Sequence, residues 1–172
     1  DNVLLTQCCA TPIGSAPDVG CPPTGITACP GTMVNVPVVV SDADGDSLLV
    51  SWQVLGFPGY DEIVPGTSTP QNLTHGYLFT TPGTYTVTIT VSDGVNPPVT
   101  CTTIVTVTEI PTITCPPAIT MHILGSGTVV TYPDPTVTGG GLAGCSPPSG
   151  SWFALGITPV TCTATNACGT NT

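Results

Sequence analysis

The chain has 172 residues and a formal net charge of −10, because its 10 aspartates and glutamates are accompanied by no lysine or arginine. Without cationic side chains it lacks the groups that neutralise nucleic-acid phosphates or attach to anionic membrane surfaces, so we expect neither of those partners. We also expect no membrane insertion, because the sequence contains no uninterrupted apolar run of about 18 residues. The carboxylates have no internal cation to pair with, which favours a divalent metal ion as a partner.

Strand-forming patterns run through the whole chain, whereas helix signals are nearly absent. The 20 glycines and 20 prolines are spread throughout, and no stretch keeps an apolar period of 3.6 residues. The clearest strand is Thr84–Ser92, in which threonines alternate with larger apolar residues. In chain order the other predicted strands are Asn2–Thr6, Met33–Val40, Leu48–Leu55, Tyr77–Thr80, Thr102–Thr108, Val129–Tyr132 and Val160–Thr165. Short strands between Pro/Gly turns predict an all-β fold of immunoglobulin-like β-sandwiches.

The predicted organisation is a Cys/Pro-rich N-terminal segment at 1–28 and two β-sandwiches in tandem, at 29–109 and 110–172. Modules of this size have modest cores and commonly depend on disulfides. The nine cysteines, several of them beside proline or glycine, therefore indicate a disulfide framework and an extracellular or cell-surface location. A zinc site was the alternative for the cluster at Cys8 and Cys9, but the C-x2-C spacing of zinc knuckles is absent.

The first predicted sandwich carries three family-like stretches, at 38–48, 50–52 and 83–94. They comprise an acidic turn, a strand with an aromatic residue, and a Tyr-x-Val strand that ends in Ser-Asp-Gly. These features resemble the PKD/cadherin-like group of extracellular immunoglobulin-like repeats. The PKD pattern Trp-x-Phe-Gly-Asp-Gly does not follow Trp52, which favours the broader cadherin-like group.

The second predicted sandwich resembles a HYR (hyaline repeat) domain in the stretches 115–120, 129–138 and 150–165. The family has aspartate at the place of Asn166, and it continues with a further strand that is not part of this sequence. The resemblance therefore implies a second sandwich that lacks its last strand. It also places the aromatic pair Trp152-Phe153 in the core. The alternative is that this pair stacks on a carbohydrate.

Carboxylates are concentrated in Asp42-Ala-Asp-Gly-Asp46, and Asp93 ends the long strand. Alternate aspartates around a glycine turn can direct several oxygens at one point, which is how Ca²⁺ collects its ligands. We therefore expect a Ca²⁺ site made by Asp42, Asp44, Asp46 and Asp93. A solvated β-turn is the alternative, since Asp and Gly are ordinary turn residues.

Three disulfides are expected, Cys29–Cys101, Cys115–Cys162 and Cys145–Cys168, although connectivity does not follow from sequence alone. Asn72-Leu-Thr is an N-glycosylation sequon in an expected loop, which makes glycans possible partners. His75, expected in the same loop, and His122, expected in a strand, lack the neighbours of a hydrolytic triad. We therefore expect no enzymatic activity.

The expected missing strand suggests how copies of the chain could join. An incomplete sandwich exposes unpaired backbone groups and the part of its apolar core that the absent strand would cover. An extended segment of another copy can take that place. The residues Asn2, Val3, Leu4, Leu5 and Thr6 form such a segment. The sequence therefore predicts an extracellular filament subunit joined head to tail by strand complementation. The alternative is a calcium-dependent adhesion or glycan-binding fragment of a larger cell-surface protein.

Overall fold

The computed structural model describes residues 14–66 and 68–172, and every regular element in them is a β-strand. The predicted all-β fold is therefore confirmed. Within the same residues, no helix has the length and apolar character needed to cross a membrane. The predicted strand Asn2–Thr6 lies outside the described residues.

The described residues form fifteen strands, in which successive side chains point to opposite faces, and most of the strands are joined by short turns. In chain order they are β1 Asp18–Gly20, β2 Gly25–Ala28, β3 Thr32–Ser41, β4 Leu48–Val54, β5 Tyr60–Val64, β6 Gln71–Phe79, β7 Gly83–Ser92, β8 Val99–Val107, β9 Thr112–Thr114, β10 Gly127–Val130, β11 Thr136–Thr138, β12 Gly141–Ser146, β13 Ser151–Ala154, β14 Thr161–Asn166 and β15 Gly169–Asn171.

The chain divides into two compact units. Unit 1 contains residues 14–27, Met33–Leu78 and Gly83–Thr106 of the described chain, and unit 2 contains Ala28–Thr32, Phe79–Pro82 and Val107–Thr172. This division differs from the predicted boundaries in two ways: the described part of the predicted N-terminal segment, 14–27, belongs to unit 1, and two short segments, at 28–32 and 79–82, group with unit 2. Each lies at a strand end, far in sequence from the rest of that unit.

Unit 1 is a sandwich of a three-stranded sheet, in the order β1-β3-β6, and a five-stranded sheet, in the order β2-β8-β7-β4-β5. The antiparallel register places Trp52 of β4 opposite Ile89 of β7 and Tyr60 of β5. Trp52 and Ile89 have no exposed surface, like Val36 and Val105 on strands of both sheets. The alternation that predicted these strands thus places their apolar faces in one core, with Trp52 at its centre.

Unit 2 consists of smaller sheets, in the orders β9-β11, β10-β13 and β12-β14-β15. In residues 110–172, all of which are described, the buried apolar side chains are Cys162, Ala164 and two prolines, Pro111 and Pro135. Trp152, expected in the core, is 59% exposed. It stands on β13, where the side-chain alternation turns its neighbour Phe153 to the half-buried face instead.

The cysteine pairing differs from all three predicted pairs. Disulfides join Cys21 to Cys101, Cys29 to Cys168, and Cys145 to Cys162. Cys115, predicted to pair with Cys162, is free and exposed. The physical reason is register: Cys145 of β12 lies directly opposite Cys162 of β14, a neighbour relation that sequence spacing does not reveal.

Three polar residues also lie in elements other than those expected. Asn72 and His75, expected in a loop, belong to β6, where Asn72 is exposed and His75 is half-buried. Threonine and aromatic residues around them favour the extended strand over a loop. His122, expected in a strand, lies in the irregular segment between β9 and β10.

Candidate functional sites

The acidic residues of unit 1 are positioned by the turn between β3 and β4. Gly45 adopts a φ of 75°, a left-handed conformation that glycine accepts without steric cost. Its amide donates a hydrogen bond of 3.1 Å to the carbonyl oxygen of Asp42, which closes the turn. The turn thereby presents Asp44 and Asp46 beyond the end of β3, and we call these residues, with Asp42 and Asp93, the acidic end.

Asp42 is the buried member of the acidic end. It has no exposed surface, and its Oδ1 accepts hydrogen bonds from the amides of Asp44 at 2.9 Å and Asp46 at 3.3 Å. Its Oδ2 is buried and has no hydrogen-bond partner within the described residues. A buried polar oxygen without a partner is costly, so Asp42 Oδ2 is the atom of the acidic end whose hydrogen-bonding need is unmet within the described residues.

Asp93 is held by the turn that follows β7. Its Oδ1 accepts from the amides of Val95 and Asn96, at 2.9 and 2.8 Å, and its Oδ2 accepts from the Asn96 side chain at 2.7 Å. These donors favour the charged carboxylate, and the Asn96 side chain makes the largest contribution to a pKa lowered from the usual range of aspartate. Asp93 is therefore a carboxylate whose oxygens are already engaged.

Ser15 connects Asp93 to the turn at Asp44. The Ser15 amide donates to Asp44 Oδ2, and its carbonyl oxygen accepts from the Asn96 side chain at 3.0 Å. The structure therefore brings the four predicted carboxylates to one end of unit 1. Within residues 14–66 and 68–172, however, no three acidic, histidine or cysteine side chains converge as the ligands of one metal ion. One oxygen of Asp42, one of Asp44 and both of Asp93 accept backbone or side-chain amide hydrogens instead.

An aromatic cluster on unit 1 was not expected from the sequence. The His75 ring stacks on Tyr60 with centroids 4.1 Å apart and planes at 10°, and it meets Tyr77 edge-on at 4.7 Å. Burial raises the pKa of the Tyr77 phenol. Aromatic residues at alternate positions of β6 were the signal that could have located His75 here. The ring contacts account for His75 as a packing residue.

Unit 2 contains an open groove with a volume of about 630 Å³. We call it the unit 2 groove. None of the side chains lining it is charged, and they come from 115–123, β10, the segment after β10, β13, the segment 155–160, and Cys162. The most exposed large apolar side chains among them are Ile157, with its full surface in solvent, and Leu155 and Met121, which are 72% and 53% exposed.

Two features distinguish the margins of this groove. The wall at 115–123 lies outside every assigned strand, so its backbone takes part in none of the sheets described. Cys115, whose thiol is free, stands at the start of that wall. Away from the groove, Asn166 stabilises unit 2. Its side-chain amide donates hydrogen bonds to the carbonyl oxygens of Glu109 and Gly139, both at 2.6 Å.

Comparison with known proteins identifies one family. The PKD domain model matches residues 22–107, which is half of the chain. This range includes the acidic end and excludes the unit 2 groove, so the HYR resemblance of the C-terminal part stays a prediction. No curated protein matches the chain.

Two solved structures are similar to the chain at low identity. A PKD domain of an M14-like peptidase from the Thermoplasmatales archaeon SCGC AB-540-F20 is 21% identical, with a TM-score of 0.43, over 55% of this chain and 97% of that one. A CARDB domain from Pyrococcus furiosus, solved in complex with di-metal ions, is 19% identical, with a TM-score of 0.38, over 54% of this chain and 94% of that one.

Proposed function

The chain belongs to the PKD domain family, and from this premise we propose that it is an extracellular structural subunit that joins copies of itself into a filament. The three disulfides agree with an extracellular domain, because such bonds persist in oxidising compartments. In the proposed contact, residues Asn2–Thr6 of one copy bind in the unit 2 groove of the next. These residues lie outside the described part of the chain, so the groove carries the proposal.

The supporting observation is the uncovered apolar surface of unit 2. A stable monomer seldom exposes a contiguous apolar patch of more than a few hundred Å². Residues 110–172 expose nine large apolar side chains and fully bury none of that size, whereas unit 1 exposes eight and buries fourteen. Four of the exposed residues line the groove, namely Ile119, Met121, Leu155 and Ile157, and five do not, namely Ile110, Leu124, Val129, Leu142 and Trp152. The exposed apolar surface at the groove is typical of an interface that another chain covers.

We expect the occupant of the groove to be an extended strand. The wall at 115–123 offers backbone groups outside the sheets, and an added strand forms main-chain hydrogen bonds while alternate side chains enter a pocket. Val3 and Leu5 are such alternate side chains. Because the donor segment and the groove are different surfaces, the contact repeats head to tail and generates an open filament.

The proposal is tested by comparing two single substitutions at fully exposed positions. Ile157 lines the groove and Leu124 does not, although both side chains have their full surface in solvent. We expect Ile157→Asp to abolish assembly, because it places a charge in an apolar contact, and Leu124→Asp to leave assembly intact. Sedimentation velocity and negative-stain imaging measure the assembly, and circular dichroism shows that both variants remain folded.

Deletion of residues 1–8 supplies the second arm of that test. The shortened chain should sediment as a folded monomer while its groove stays available. A synthetic peptide of residues 1–9, with its cysteines replaced by serine, should then bind to the shortened chain and fail to bind its Ile157→Asp form. Continued polymerisation of the shortened chain would contradict the proposal.

A second candidate function, calcium-dependent adhesion, is favoured by the unpartnered Oδ2 of Asp42. A cation beside this oxygen would satisfy it. The neighbouring Asp44 and Asp46 each have an Oδ2 close to Gly14, at 3.4 and 3.7 Å from the point where a Cβ atom would stand on that glycine. Extracellular modules bind Ca²⁺ with dissociation constants of about 10⁻⁴–10⁻³ M. A glycan ligand or a glycan on the exposed Asn72 would belong to the same adhesive role.

Thermal unfolding with added Ca²⁺ tests this candidate. At a concentration of ten dissociation constants, bound Ca²⁺ stabilises the folded chain by about 1.4 kcal/mol. The gain should disappear in Asp42→Asn and persist in Asp134→Asn, an exposed aspartate of unit 2. Equal gains from Mg²⁺, or in both variants, would show general screening of the net charge and would refute a specific site.

A further inference from the structure

The unit 2 groove restricts the chemistry of its occupant. Its lining carries no charge, and the chain itself has a net charge of −10, so an acidic or strongly polar segment is disfavoured there. Thirteen residues precede Gly14 and lie outside the described part of the chain. From Asn2 to Cys9 they contain no charged side chain, and Val3, Leu4 and Leu5 are consecutive apolar residues. This segment therefore matches the groove in charge and in polarity.

The cysteines provide a second and independent match. Six of the nine cysteines form the three disulfides, and Cys115 is free and exposed at the groove wall. The other two are Cys8 and Cys9, which follow the apolar residues of the segment. An exposed thiol in an oxidising compartment is available for disulfide formation. The groove and the segment that fits it thus each bring an additional cysteine.

We propose that strand binding in the unit 2 groove is locked covalently by a disulfide between Cys115 of one copy and Cys8 or Cys9 of the next. This inference rests on the proposed function and adds to it a defined bond and a direction. One such bond per contact uses two cysteines of each subunit.

The order of residues in the donor segment sets the orientation of that segment in the proposed contact. At about 3.3 Å per residue, Leu5 lies about 10 Å and Val3 about 17 Å from Cys8 along an extended segment. In the proposed contact, with Cys8 or Cys9 bonded to Cys115, we expect these apolar residues to lie along the groove against side chains such as Ile119 and Met121. The C-terminal end of the donor segment therefore points to Cys115.

Bond formation is an oxidation that requires an acceptor. The two thiols lose two protons and two electrons as the sulfur–sulfur bond forms. A disulfide oxidant, such as oxidised glutathione or a disulfide oxidoreductase, takes up both electrons and is reduced to two thiols. Binding in the groove aligns the two cysteines, so the reaction is faster than between exposed thiols that meet at random.

The test uses the full chain in a buffer of oxidised and reduced glutathione. We expect a ladder of covalent oligomers on a non-reducing denaturing gel, which collapses to monomer on reduction. Mass spectrometry of the digested oligomers should show Cys115 linked to Cys8 or Cys9 of another copy. The variant Cys115→Ser should still sediment as an assembly under native conditions but should run as a monomer on the denaturing gel.

A displaced thiol is the matched control. The double variant Cys115→Ser, Ser126→Cys keeps one exposed cysteine but moves it to a position that does not line the groove. It should form at least tenfold less covalent oligomer than the unaltered chain. An equal ladder from this variant, Cys115 linked to Cys115, or a link within one monomer would overturn the inference.

The outcomes separate this inference from the proposed function. Native assembly of the unaltered chain without the Cys115 link refutes the covalent lock and leaves the filament intact. Absence of assembly in every form, whether oxidised or reduced, refutes the proposed function itself.

Discussion

Loss of the disulfide between Cys21 and Cys101 should strongly destabilise unit 1. The bond closes a loop with a sequence separation of 80 residues. The entropy that this loop removes from the unfolded chain corresponds to about 4.5 kcal/mol at 25 °C, compared with about 3 kcal/mol for the separation of 17 residues closed by Cys145–Cys162. The former is a large fraction of the 5–15 kcal/mol that is typical of a folded domain.

The perturbation is the double variant Cys21→Ala, Cys101→Ala, studied by urea unfolding. The chain has two tryptophans, so a Trp152→Phe background leaves the buried Trp52 as the fluorescent reporter of unit 1. With a denaturant slope of about 1.5 kcal/mol per M, the midpoint should fall by roughly 3 M. Cys115→Ser is the matched control, because this free and exposed cysteine should change stability by less than about 0.5 kcal/mol.

Two results would refute this reasoning. One is a loss of stability below about 1 kcal/mol, because it would mean that the bond does not constrain the unfolded chain. The other comes from the single variant Cys101→Ala, which should release Cys21 for alkylation. Labelling of Cys29 instead would restore the pairing predicted from sequence and contradict the fold of unit 1.

Three further predictions concern single side chains. The pKa of Asp93 is lower in the folded chain than in the unfolded chain, so its charged carboxylate stabilises the fold above the unfolded pKa. This stabilisation is lost as the pH falls through the lower folded pKa. Asn96→Ala should make the urea midpoint fall less between about pH 6 and about pH 2. Asn166→Asp replaces an amide donor by an oxygen facing two carbonyl groups, and thermal unfolding followed by circular dichroism should show a loss of roughly 2 kcal/mol. Ile89→Ala should cost about 2–5 kcal/mol in urea unfolding, whereas Ile104→Ala, at a position 46% exposed, should cost less than about 1 kcal/mol.

Local pattern predicted the strands of unit 1 well because each was long and strictly alternating. The prediction of Thr84–Ser92 matches β7 to within one residue, and its apolar side chains are those buried in the core. The same approach missed that Asn72 and His75 lie in β6. The short sequon and a following glycine suggested a loop, whereas pairing of β6 with β3 favours the extended form.

The acidic end was predictable in location but not in detail. Alternate aspartates around Gly45 indicated a turn, and the sandwich does bring Asp93 to the same end through Ser15. Neither the burial of Asp42 nor the hydrogen bonds from Asn96 to Asp93 was predicted from the residue pattern. The Asn96–Asp93 bonds are local to the turn after β7, three residues apart, whereas the burial of Asp42 is a tertiary property that neighbouring residues do not reveal.

The amino-acid sequence by itself determined the all-β class, the need for disulfides and the lack of cationic partners within the chain. These properties depend on composition and on side-chain alternation between neighbouring residues, which are local. Only the tertiary structure decided which cysteines pair, that Cys115 is free, and that an uncharged groove opens in unit 2. These are relations between distant segments, and strand order and register fix them, because cysteines bond only where the backbone brings their side chains within reach.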